Sequence, residues 1–366
     1  MKVLFDFYEI AISKGKSIGI YNYALLLLKN LSENRELNLV VTCSGENYNE
    51  ISEIQNITIK KISNDYPTFK ERLIWRMFTA LRIAKAEQCD VYFSPKGFSP
   101  GFFKRRERPF IVVTVHDMIP FYYAEEYPDY FGAFENFIIT KTLLQSIRTA
   151  NKIITVSKFS RDMILNYVNK GTDVEVVYNG ISLPLEREKV AQKNPYIFAI
   201  TSDLPHKNKD HIISGYLEYR KLTANPLPLK ICGISECNIE LSEEQQASIE
   251  FIRFADETVF TSLFSNASLF LFLPRIEGFG FPPLEGLNYK VPCIVSDIPV
   301  LREILGQAGY FVDHEDSSAI ANGISLVLSD NILQKRIVQD GAKILPKFNI
   351  ENCGKETLSV FSRLLS

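Results

Sequence analysis

Short apolar runs recur along the chain, separated by longer segments whose apolar residues fall at helical spacing. Runs at 3–7, 37–42, 58–61, 91–94, 110–115, 152–156 and 174–178 predict strands in the first half. Runs at 196–200, 229–233, 269–273, 291–295 and 309–312 predict strands in the second half. Helical spacing appears at 19–31, 67–88, 208–221, 256–266, 317–328 and 332–344, and again from 348 to 364. Ser157 suits the cap of a further helix reaching residue 167, and another helix starts at 298–303. In the 67–88 helix, Leu73, Ile74, Met77, Phe78 and Leu81 form the expected apolar side, and 122–130 reads as an aromatic loop. Strands alternating with helices predict an α/β protein with parallel, helix-covered sheets.

At 366 residues the chain exceeds one ordinary core. The segment 181–194 has charge on both sides, a proline and no periodicity, so it reads as a linker. That gives a first domain at 1–180 and a second at 195–347, followed by the helix of 348–366.

The stretch from Pro274 to Gly286 organises the second domain. It follows an apolar strand, and its Pro282-Pro283 pair suits a first helical turn. Gly278 and Gly280 let backbone approach a ligand, and free N–H groups at the helix start favour an anion. Glu277 lies in the loop and Glu285 one turn into the helix, so both carboxylates can face one cleft. A ligand carrying hydroxyls and phosphates together reconciles acids with an anion site. Spacing alone leaves a second reading open, in which the glutamates belong to a solvated loop and helix.

This stretch resembles the Glu-x7-Glu signature of the family-4 retaining glycosyltransferases, which have the two-domain GT-B fold. Other stretches resemble the family in the same order along the chain. Gly19 sits in Ser17-Ile18-Gly19-Ile20-Tyr21, similar to the family's glycine loop after the first strand. The strand ending Val115-His116-Asp117 is similar to the family's His-Asp strand end, and Pro205-His206-Lys207-Asn208 to its diphosphate loop. The terminal helix resembles one that crosses back onto the first domain. The resemblance implies two Rossmann-like, doubly wound domains with the active-site cleft between them. It implies hexose transfer from a nucleoside-diphosphate sugar to a saccharide or lipid-linked acceptor, with retention and without a cofactor. On it, His116 and Glu277 are catalytic. Lys207, Ser202, Asn208, Gly278, Phe279, Gly280, Phe281, Glu285 and Gly19 bind the donor. Asp117 and Tyr122 lie on the acceptor side. Relatives with glycine at the position of Thr201 and arginine at that of Ser202 differ here.

Other chemistries fit less well. Gly15-Lys16-Ser17 lacks the first glycine of a P-loop, since Ile10 stands there, and no G-x-G-x-x-G follows the first strand. No Asp-x-Asp triplet occurs, which disfavours a metal-dependent transferase and predicts no catalytic metal. A glycoside hydrolase with two acids leaves the anion loops unexplained. A phosphorylase, or a nucleotide-sugar-binding scaffold without turnover, remains as an alternative.

Composition narrows the setting. The net charge of −2 argues against a nucleic-acid partner. Six scattered cysteines read as reduced core residues, and the opening residues lack a signal-peptide pattern, so a cytoplasmic protein is expected. Residues 70–108 carry ten bases against four acids, with Trp75 and Phe102-Phe103 among them. This surface fits peripheral contact with the inner face of a membrane, or a solvated basic helix and loop.

Overall fold

The computed structural model describes residues 1–11, 18–101, 103–130, 132–168, 173–181 and 194–365. Most of the loop after the first strand and nearly all of the expected linker lie outside the described residues. The chain forms two units, Met1–Ser182 with Phe348–Ser366, and Leu183–Lys347.

In the first unit the strands are β1 (Lys2–Asp6), β2 (Asn38–Ser44), β3 (Ile57–Ser63), β4 (Val91–Ser94), β5 (Phe110–Val115), β6 (Lys152–Thr155) and β7 (Val174–Val176). They form one parallel sheet in the order β3-β2-β1-β4-β5-β6-β7, with Val3 opposite both Leu39 and Val91. Val3, Leu4, Phe5, Val91 and Phe93 are fully buried, as continuous apolar runs covered on both faces must be. The order reverses between β1 and β4, the place where open α/β sheets bind ligands beyond the strands' carboxyl ends. The Ile350–Arg363 helix belongs to this unit, capped by Asn349 and packing Phe361 on Phe93 at 5.2 Å.

The second unit holds β8 (Tyr196–Ile200), β9 (Leu229–Cys232), β10 (Ile249–Ile252), β11 (Ala267–Phe272), β12 (Cys293–Ser296) and β13 (Tyr310–Val312). Their order is β10-β9-β8-β11-β12-β13, again parallel, and it reverses between β8 and β11. Strand β10 was not anticipated from the sequence. It lies at the sheet edge, where a glutamate inside a short apolar run hides the strand pattern.

Two sequence expectations fail in the first unit. The 67–88 segment is helical, but its apolar side is not the expected one. Leu73, Ile74 and Phe78 are exposed and Met77 and Leu81 half-buried, while Trp75, Ala80 and Ala84 face the core. The cause is a π-helical turn at Trp75–Thr79 between the Phe69–Ile74 and Ala80–Ala86 helices. A π turn adds a residue per turn and rotates what precedes it, and the alanines let the following helix sit close. Residues 122–130 also differ: Ile119–Glu126 is a helix, opened by Pro120, and Asp117 Oδ1 accepts from Ile119 N at 2.9 Å.

Among the described residues all six cysteines are unpaired, and no helix is long and apolar enough to cross a membrane.

Candidate active site

The second unit gathers its polar residues at the carboxyl ends of β8 and β11. After β8 a 3-10 turn, Pro205–Lys207, leads through Asn208 in the left-handed region (φ 58) into the Lys209–Lys221 helix. Thr201 Oγ donates to the Lys207 carbonyl at 2.8 Å and closes this turn. Asn208 donates to the His314 carbonyl at 2.7 Å and contacts His211 Nδ1 at 2.8 Å, so its side chain anchors the turn. Among the described residues Ser202 Oγ accepts only a long 3.4 Å contact from Leu204 N.

After β11 the chain is tied to that turn by Arg275. Its backbone N–H donates to the His206 carbonyl and its guanidinium to the Pro205 carbonyl, both at 2.8 Å. Ser296, at the end of β12, donates to the Pro274 carbonyl at 2.6 Å. With both loops fixed, Lys207 Nζ lies 2.5 Å from Glu277 Oε2 and 5.7 Å from the Phe272 ring centre. The fold thus brings together Lys207 and Glu277, seventy residues apart in the chain. The sequence does not disclose Arg275, whose only signal is its being the sole base between Pro274 and Gly286.

Gly278, Phe279 and Gly280 are buried, and Phe279 packs on Phe281 at 5.2 Å. Gly280 has φ 100 and precedes the Phe281–Asn288 helix, whose first turn carries the prolines. Glu285 keeps part of its surface open, yet the protein packed around its carboxyl pushes its pKa up to about 7. Its carboxylate meets no donor or cation among the described residues, unlike that of Glu277.

In the first unit, His116 follows β5. Its Nε2 lies 2.8 Å from the Pro95 carbonyl, and its ring meets Tyr23 edge-on at 4.8 Å. A carbonyl only accepts, so Nε2 carries the proton and Nδ1 is left as an acceptor. Burial pushes its pKa down to about 4, the hydrogen bond opposing. At neutral pH the imidazole is uncharged. Tyr122 lies in a cluster with Tyr123 and Tyr127, and buried Tyr123 packs on Tyr130 at 5.3 Å. Gly19 is exposed in the first turn of the Ile18–Ser32 helix, and Ser17 lies outside the described residues.

Two family descriptions match adjoining stretches of the chain: "Glycosyltransferase Family 4" over residues 19–184 and "Glycosyl transferases group 1" over 185–344. The chain is a family-4 glycosyltransferase. It is 27% identical to an O-antigen chain mannosyltransferase of Salmonella typhimurium, over 85% of this chain and 87% of that one. O-antigen chain mannosyltransferase B of Escherichia coli is also 27% identical, across the full length of both chains. Two solved structures share the fold, each with a TM-score of 0.71: Anabaena HepE in complex with UDP and glucose, and sucrose-phosphate synthase of Thermosynechococcus elongatus. Their identities are 16% and 13%, over 99% and 100% of this chain and 100% and 99% of theirs.

Glu285 gives this glycosyltransferase a measurable pH signature. An acid with a raised pKa costs stability as pH climbs from its ordinary value of 4.5 to the folded value of about 7, and the full cost persists above that. Glu285→Gln removes the cost. It is expected to stabilise the fold by about 1–3 kcal/mol near pH 8 and to change little near pH 4. Thermal unfolding at the two pH values checks this; equal shifts at both would refute it.

Proposed function

We propose that the protein transfers a hexose, with retention at the anomeric carbon, from a nucleoside-diphosphate sugar to a hydroxyl of a saccharide or lipid-linked oligosaccharide. We place the reaction in surface polysaccharide synthesis. The observation that carries this reading is Lys207 held against Glu277 where the second sheet's order reverses. Breaking the sugar–phosphate bond puts positive charge on the sugar and negative charge on the diphosphate. Stabilising the leaving group therefore supplies much of the catalysis. Lys207 and the N–H groups near Gly280 and Phe281 meet the diphosphate, which makes a metal ion unnecessary. Gly278 and Phe279 shape that loop, Asn208 anchors the lysine's turn, and Ser202 contributes at its margin; Gly19, in the first unit, is a further donor-binding residue of this reading.

Glu277 accepts hydroxyls of the donor sugar while it orients Lys207. Glu285, unpartnered in its packed surroundings, accepts from the ribose hydroxyls. His116 acts as a neutral acceptor for a sugar hydroxyl through Nδ1, not as a cation. Asp117 serves by holding the turn beside it, and Tyr122 by packing the helix that follows. The acceptor hydroxyl attacks on the face the diphosphate leaves, and its proton passes to the leaving phosphate.

The relatives' names make mannose the first sugar to test. The protein is expected to release one nucleoside diphosphate from a panel of UDP-, GDP-, ADP- and dTDP-sugars, and to do so undiminished in the presence of a chelator. Binding without release, even with lipid-linked acceptors added, would point to a scaffold instead.

We also propose peripheral contact with an anionic membrane through residues 70–108, in a protein working at the cytoplasmic face. Phe69, Leu73, Ile74 and Phe78 are exposed on one helical segment, and Phe103 is 83% exposed just beyond a backbone bond from Gly101 to Arg76. Lys70, Arg82, Lys85, Lys104 and Arg106 are exposed nearby in sequence. Apolar rings flanked by bases suit the interface of an anionic bilayer. Co-sedimentation with phosphatidylserine vesicles is expected, but not with phosphatidylcholine alone, and Phe78→Ser with Phe103→Ser is expected to abolish it. Retention by the double variant would discard the surface.

A further inference from the structure

The first unit has a polar cluster of its own where its strand order reverses, and the chemistry above does not use it. Asp6 ends β1, Glu9 lies just beyond it, and Lys96 lies just beyond β4. Buried Asp6 accepts from Thr42 Oγ and Trp75 Nε1, each at 3.0 Å, from Tyr8 N at 3.1 Å, and from the Tyr92 hydroxyl. Arg76 grips Glu9 through two bonds, Nε to Oε1 at 2.7 Å and Nη2 to Oε2, and its guanidinium lies 3.5 Å from the Phe98 ring centre. Lys96 Nζ donates to the Glu9 carbonyl at 2.6 Å. Adjacent residues Trp75 and Arg76 open the π turn, and both reach the end of β1, Trp75 to Asp6 and Arg76 to Glu9.

Such a cluster is costly as mere scaffolding, since apolar residues of similar volume usually serve the core at least as well. Nor is it sealed. The Arg76 side chain keeps 21% of its surface while Glu9 keeps 6%, and Lys96 is half-buried. Lys96 uses one of its three N–H groups on Glu9, and a carboxylate held on one edge by Arg76 retains lone pairs. Burial pushes the Lys96 pKa down to about 8, with Glu9 opposing the shift. The site therefore offers strong donors and acceptors side by side. Glu9 and Arg76 balance each other's charge, so a phosphate would enter facing the Glu9 carboxylate as well as the cations. A sugar ring, whose hydroxyls both donate and accept without charge, matches it better.

We propose that Glu9, Arg76 and Lys96 form a recognition site for a neutral saccharide, the terminal sugar of the acceptor. The identification of that sugar as the acceptor's rests on the transferase reading. The second unit supplies a parallel: there too a lysine and a glutamate meet where the strand order reverses.

The test titrates a panel of octyl glycosides (manno, gluco, galacto and rhamno) into wild type, Lys96→Met, Lys96→Arg and Glu9→Gln. Donor hydrolysis without acceptor is measured in parallel. One glycoside is expected to bind wild type, about tenfold more weakly to Lys96→Met and Glu9→Gln, and near normally to Lys96→Arg, with donor hydrolysis unchanged throughout. Lys96 faces Glu9 and Asp6 from β1 and its following loop, and Arg72 and Arg76 from the helix. As it loses its proton, wild-type binding is expected to weaken severalfold from about pH 7 to about pH 9.5, while Lys96→Arg stays constant. A Lys96→Met protein that binds the glycoside like wild type would make the cluster structural only. Failure of every glycoside to bind wild type, or displacement by inorganic diphosphate, would overturn the saccharide assignment. Glycoside binding without turnover of any donor would instead overturn the transferase reading and leave this site standing.

Discussion

Lys207→Ala is expected to lower donor turnover by about 10²–10³-fold, the range seen when one preorganised group that stabilises developing negative charge is removed. The lysine and its partner are both largely enclosed, with side chains 24% and 17% exposed, so solvent screens the charge poorly. Removing it also leaves Glu277 without its cation, and that carboxylate would then face the diphosphate. Part of the loss is therefore repulsion, and Lys207→Ala with Glu277→Gln is expected to regain donor affinity but not turnover. Lys207→Arg is expected to recover little, because a planar fork does not reproduce a point charge in a turn fixed by Thr201 and Asn208. Single-turnover rates and donor Kd for the three variants check this. Turnover within about threefold of wild type in Lys207→Ala would remove the lysine from the mechanism.

Why this site was legible, and others were not, comes down to the range of the interactions. The loop and helix after β11 are specified locally, by glycines that permit unusual backbone and prolines that start a helix. Lys207 stands out in the sequence because its turn is local too, although its partner lies in the loop after another strand. The buried strands read cleanly because both faces are covered, which leaves no polar interruption. The failures share the opposite property. The exposed side of the 67–88 helix has a respectable apolar pattern, and only the contacts of Trp75 with Asp6 and Tyr8 show which way it turns. Nothing within a few residues of Glu9 announces that Arg76 and Lys96 will surround it. Arg275 acts through backbone carbonyls of another loop, a partner that residue type never reveals.

Gly280→Ala is the second large expectation, and it separates backbone geometry from charge. At φ 100 an added Cβ incurs strain of about 1–2 kcal/mol, and here it would also stand 2.6 Å from Leu301 Cδ2. The leucine tip is flexible, so the overlap can be relieved by a small shift, whereas the backbone strain cannot. If the loop yields, the N–H groups at the head of the Phe281–Asn288 helix turn away from the place where the diphosphate is proposed to bind. Donor affinity is then expected to fall about tenfold or more, with stability lowered by about 1–3 kcal/mol. Leu301→Ala added to Gly280→Ala restores room without restoring geometry. It is expected to leave the donor defect in place, although it opens a cavity of its own. Recovery of donor binding in the double variant would show that crowding alone was at fault. Normal donor binding in Gly280→Ala itself would mean that this loop does not hold the diphosphate, whatever Lys207 does.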